Sequence, residues 1–217
     1  FSYVVLRGRC KHCGGHIPLR LLCMELTTSA LFLAVYFSSQ TLLFFVFGLV
    51  LVSLLIVIAS YDMRHMVFPN EFVIVTLLLA LAYVGYEVYV SSSFVLLFWH
   101  TVAACSSSAF FALLWLVSKG RWIGLGDAKL AFPLALMLPL GGAFSLIVFS
   151  FWIGAFLSVA LLGIQKILQS GKRHLPILRV PLTMKSEVPF APFMIAAFIL
   201  VFLTHMDVLS IITLFSF

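Results

Sequence analysis

At 217 residues and 24.1 kDa the chain is 64% hydrophobic and only 9% charged, with a mean hydropathy of +1.22, whereas a water-soluble domain is nearer a quarter charged. Thirteen Lys and Arg and seven Asp and Glu are too few to coat a globule of this size, and 23 Phe, 4 Trp and 6 Tyr would leave large apolar patches in water. Soluble enzymes, nucleic-acid binders and disulfide-stapled secreted domains are excluded, and the +6 net charge reads first as a topology signal in an all-α, polytopic transmembrane bundle.

Residues 1–20 are polar and cysteine-bearing, with no signal-peptide pattern, and the chain starts at Phe1 rather than Met. A further segment is therefore expected upstream. A membrane domain follows over 21–217. A crossing of the roughly 30 Å hydrocarbon core needs about 20 apolar residues, and seven such runs occur in order: 21–39, 41–60, 71–90, 94–118, 128–142, 143–168 and 191–214. An additional helix upstream would bring the total to eight.

Threading the chain through seven alternating passes places 1–20, 61–70, 119–127 and about 166–190 on one side, and every one of the 13 basic residues then falls on that side. By the positive-inside rule it is cytoplasmic. The opposite side shows only Glu87 and Asp207. One stretch strains this threading: the 36 residues between Lys129 and Lys166 give about 54 Å of helix, and two full crossings want about 60 Å. A re-entrant 128–142 segment is the alternative, and it would put five basic residues outside.

Two acidic motifs lie on the cytoplasmic side. Asp62 stands in S-Y-D-M-R-H-M-V-F-P-N at the end of the second run. As a lone residue it fits a solvated turn, but a carboxylate at a membrane boundary usually faces protein or water. Asp127 stands in G-L-G-D-A-K-L before the fifth run. Gly124 and Gly126 permit a tight turn there and Asp127 suits a helix cap; missing side chains also let an extended peptide approach, which makes Gly124, Gly126 and Lys129 candidates for substrate contact. Glu71 and Glu187 are the other cytoplasmic-side acids outside the runs, each in a setting suited to a loop or helix start. Two close Asp side chains share a proton. One can then activate water while the other polarises a peptide carbonyl, the chemistry of aspartic proteases.

C-K-H-C, with Cys10 and Cys13, is a single C-x-x-C on the reducing side, where metal is favoured over a disulfide. Structural zinc takes four ligands, so this is half a site. His16 is a candidate third ligand, a second cysteine pair upstream is the simpler completion, and a redox-active pair is the other reading. Cys23 and Cys105, inside apolar runs, are expected to be buried packing residues. His100 and the polar stretch Cys105 to Ser108 are expected to help helices pack. Glu25, inside the first run, is either a functional acid or an interfacial one. The basic 170–185 segment reads as a topology determinant, with anionic lipid or an acidic substrate segment as alternative partners.

Taken together the chain resembles the type IV prepilin peptidases, membrane aspartic proteases with a Gly-x-Gly-Asp motif. The resemblance rests on L-R-G-R-C-K-H-C-G-G-H-I-P-L-R followed by M-E-L-T-T, on Y-D-M-R-H-M-V-F-P-N, on G-L-G-D-A-K-L and on V-P-F-A-P-F, in family order and joined by the right number of spans. It implies a multi-pass enzyme of the bacterial cytoplasmic (inner) membrane that cuts the basic cytoplasmic leader from prepilins or pseudopilins. Asp62 and Asp127 match the catalytic aspartates, and proteolysis by them needs no cofactor. Cys10 and Cys13 match the second of two cysteine pairs that hold zinc in some members, and many bacterial members also N-methylate the new terminus with S-adenosylmethionine. The departures are Ala191 for the usual Gly, the missing first helix and first cysteine pair, and Pro133 and Pro139 after Lys129. Two rival classes stay in competition: a membrane thiol oxidoreductase using Cys10 and Cys13, and a transporter or scaffold in which Asp62 and Asp127 are ion-binding or structural.

Overall fold

A computed structural model of the chain describes residues 2–6, 8–11, 13–66, 69–170 and 189–208. The 171–185 part of the basic segment, Glu187, His12 and the 209–214 end of the last run lie outside these residues. The described part is helical apart from its joints: a single turn α1 (Ser2–Val5), then α2 (Leu19–Ser38), α3 (Leu42–His65), α4 (Asn70–Ser91), α5 (Phe94–Ser118), α6 (Leu125–Leu136), α7 (Leu140–Ser170) and α8 (Ala191–Thr204). Helices thus occupy all seven predicted runs. Five of them, α2, α3, α4, α5 and α7, are long and apolar enough to cross a membrane, so the chain is a multi-pass membrane protein.

The boundaries follow local chemistry. Thr41 starts α3 by accepting the Phe44 N–H on its hydroxyl. Met66 closes α3 in the left-handed conformation at φ 52°, and Pro69, which has no N–H to lose, precedes α4. Pro139 likewise falls in the α6–α7 joint, where its carbonyl accepts the Ala143 N–H.

The two shorter helices differ from expectation. α6 has 12 residues, about 18 Å, because it begins partway down the bundle. The Ser108 hydroxyl bonds the Ala128 carbonyl at 2.9 Å and His100 Nδ1 bonds the Leu136 carbonyl at 2.8 Å. α6 therefore runs antiparallel to the first half of α5. α7, with 31 residues and about 46 Å of length, exceeds one crossing and runs past Lys166, while α6 covers only part of one, so the 36 residues between Lys129 and Lys166 do not divide into two full crossings. α8 ends at Thr204 instead of continuing to 214: His205 adopts φ 53° and bonds its N–H back to Val201, and the Val208 N–H is taken by Ser145.

Gly154 lies against Phe193 and Gly141 against Asp207, so α7 and α8 are also antiparallel. Ala191, at the head of α8, gives its N–H to the Asp62 carboxylate. α6 thus leads from the Asp62 end of the bundle to the opposite end, where α7 begins, as in the seven-pass threading and not the re-entrant one.

Water does not drive helices together inside a bilayer, so close approach of small residues has to. Ala103, Ala104 and Ser107 of α5 face a core that includes Ala128, Ala131 and Ala135 of α6, all buried. Larger side chains, Leu55 and Ile58 of α3, Phe111 of α5, Leu134 of α6 and Phe198 of α8, fill the remaining space. α2 packs chiefly on α3, where a side chain at Gly48 would fall 2.7 Å from the Val35 methyl.

This packing corrects the expectation for two cysteines. Cys23 and Cys105 are exposed: α5 buries His100, Ala103, Ala104, Ser107 and Phe111, which leaves Cys105 on the other face, and α2 has little of its surface inside the protein. His100 and Ser108, by contrast, do join helices as expected. Glu25 is exposed on α2.

Candidate active site

Asp62 and Asp127 come from helices that are distant in sequence, yet both line one cavity of about 530 Å³. Asp62 sits in the last turn of α3, 4% exposed. One side of its carboxylate takes the Ala191 N–H at the head of α8, while Oδ2 is buried with no hydrogen-bond partner among the described residues. An orphan carboxylate oxygen is costly in a closed core and useful at a wet reaction centre.

Asp127 is 6% exposed, in the first turn of α6. Its Oδ2 accepts the Gly124 N–H at 3.1 Å, which satisfies a free donor at the helix start and fixes the carboxylate at the cavity wall. Near neutral pH a pair of this kind holds one proton.

Gly124 and Gly126 form part of the same wall, and a side chain at Gly124 would stand 3.4 Å from Asp127 Oδ2. The missing Cβ keeps that carboxylate open to the cavity. Lys129 also lines it and bonds its Nζ to Asn70 Oδ1 at 3.1 Å, tying α6 to the start of α4. All five residues singled out around the acidic pair in the sequence therefore meet at one place. Asn70, Arg121, Trp122 and Phe190 are among the other lining residues and were not singled out for contact; Asn70 and Phe190 carried a signal only as members of the Y-D-M-R-H-M-V-F-P-N and V-P-F-A-P-F segments. Glu25 and Glu71 are not among the lining residues.

A second polar group lies at the opposite end of the bundle. Glu87 accepts the Tyr83 hydroxyl at 2.9 Å and meets His100 Nε2 at 3.5 Å. With the His100 bond to Leu136 it joins α4, α5 and α6, and neither residue lines the cavity.

Cys10 and Cys13 share a tight loop in which the Cys10 N–H bonds the Gly15 carbonyl and the Gly14 N–H bonds the Cys10 carbonyl. No group of three or more His, Cys, Asp or Glu gathers as a metal site among the described residues. Two thiols do not fill a four-coordinate zinc site, so the described residues by themselves do not fit the metal.

The model of the type IV leader peptidase family matches residues 49–159, and that of the bacterial peptidase A24 N-terminal domain matches 1–39. The chain belongs to the type IV leader peptidase family. It is 29% identical over 202 residues to a prepilin leader peptidase/N-methyltransferase of Dichelobacter nodosus, a match covering 93% of this chain and 64% of that protein. It is 26% identical over 211 residues to a protein of the same name from Bacillus subtilis (strain 168), covering 96% and 76%. The chain thus spans a little under two thirds of the length of the first relative. No solved structure is significantly similar to it.

Proposed function

We propose that this chain is a membrane aspartic endopeptidase that cleaves the leader peptide from prepilins or pseudopilins, with Asp62 and Asp127 as its catalytic pair. The observation that carries the reading is the convergence of two buried carboxylates, one with an unpartnered oxygen, on a single open cavity. The ionised member takes a proton from a water molecule as the oxygen attacks the scissile carbonyl, and the protonated member donates to that carbonyl. The tetrahedral intermediate then collapses with proton delivery to the departing amine. Family membership and the names of the relatives support this substrate class.

The one-sided basic residues support a position for the pair at the cytoplasmic face of the inner membrane, where a basic leader and water would both reach it. Gly124, Gly126 and Lys129 are proposed to contact the extended leader joint. The names of both relatives also include N-methylation; in this chain that step would take S-adenosylmethionine as methyl donor, and the mass of the product terminus decides it.

The test is leader cleavage in membranes by wild type, Asp62→Asn and Asp127→Asn. Both variants are expected to lose cleavage by at least about a thousandfold while keeping the fold. Retained activity in either would sink the pair.

A further inference from the structure

A second cavity, of about 570 Å³, adjoins the first and shares Trp122, Ile123 and Phe190 with it. Its chemistry is different. Phe110 and Leu114 of α5 form one wall, Phe151 of α7 and Phe193 of α8 the others, and among the described residues no charged one lines it. Its floor on α7 is made of small residues, Gly154, Ala155 and Ser158. From Phe151 to Ser158 is about two helical turns, roughly 10 Å.

Small residues along a helix face let another helix backbone come close, and aromatic walls then grip its side chains. Phe110, Phe151 and Trp122 are exposed in this groove, Trp122 at 71%. Trp122 and Phe190 stand where the polar cavity passes into the apolar one. A polypeptide held across that border has a polar stretch beside Asp127, Lys129 and Asn70 and an apolar stretch beside Phe110 and Phe151.

We infer that this groove between α5, α7 and α8 docks the first two turns of the substrate's apolar membrane helix, on the C-terminal side of the scissile bond. The inference rests on the peptidase reading above and adds to it where the substrate is held. The continuity of the two cavities selects this occupant over a lipid chain: an acyl chain fills the apolar part alone, whereas a substrate crossing from leader to membrane helix occupies both.

Ala155 is exposed on α7, so Ala155→Phe fills the groove without entering the core, and Ala155→Ser serves as the conservative control. Purified protein in proteoliposomes is given two synthetic substrates, one with a basic leader and a 20-residue apolar helix (about one crossing) and one short soluble peptide bearing the same junction. In Ala155→Phe the ratio of kcat/KM for the anchored over the short substrate is expected to fall about tenfold, and in Ala155→Ser to stay at the wild-type value. A photoreactive side chain at position 158 in an Asp127→Asn background is expected to crosslink to the anchored substrate, while one at position 37 on exposed α2 is not. An unchanged ratio in Ala155→Phe, or crosslinks from position 158 only to lipid or to a second copy of the chain, would overturn the docking site with the peptidase reading intact. A wild type that cleaves neither substrate overturns that reading and this inference together.

Discussion

Ser108 of α5 donates its hydroxyl proton to the carbonyl of Ala128, 2.9 Å away and one residue beyond Asp127. This bond fixes the height of α6 beside α5 where the first turn carries a carboxylate into the cavity. Ser108→Ala is expected to lower kcat several-fold with KM little changed, since the fault lies in the placement of Asp127. The cost in stability is expected to be about 0.6 kcal/mol, the average for such bonds between membrane helices. Steady-state kinetics alongside thermal unfolding in detergent separates the two effects.

His100 secures the other end of α6. Replacing it by Leu leaves the Leu136 carbonyl without its 2.8 Å donor and Glu87 without its ring partner. The expected loss is about 1–3 kcal/mol, read as a lower unfolding temperature, with residual activity well above that of the Asp127→Asn variant.

At the edge of the bundle, Gly48→Ala would set its methyl 2.7 Å from Val35, a branched side chain that is 1% exposed. The α2–α3 contact has to open, at about 1–3 kcal/mol. Proteolytic nicking of α2 is expected to accelerate in this variant and to remain slow in the wild type.

Replacement of Cys13 by Ser is expected to leave leader cleavage within about twofold of wild type, since the Cys10–Gly15 loop lies outside the cavity walls. Loss of cleavage on this change would instead favour the thiol chemistry considered from the sequence.

The order and approximate extent of the helices were legible because a bilayer imposes length and apolarity on each crossing, and charge sorts the joints. Asp62 and Asp127 were legible through scarcity, being two of seven acids in the chain. The early end of α8 was hidden, because Asp207 lies against Gly141 and Val208 bonds Ser145 of α7, tertiary contacts that no local pattern records. Cys23 and Cys105 were misread for a related reason: hydropathy finds a span but not which face meets lipid. Asn70 showed in the sequence only as the last residue of Y-D-M-R-H-M-V-F-P-N, and its bond to Lys129 needed the fold to bring α4 beside α6.

Both carboxylates are held by main-chain donors at the heads of helices, Asp62 by Ala191 of α8 and Asp127 by Gly124 before α6. None of those anchors is a side chain. On the proposed peptidase reading, the cavity walls contributed by Met66, Arg121 and Trp122 can therefore be exchanged without unseating the acids, which makes this scaffold suited to re-targeting: libraries at those three positions are expected to change which junction is accepted while the two carboxylates stay where the backbone sets them.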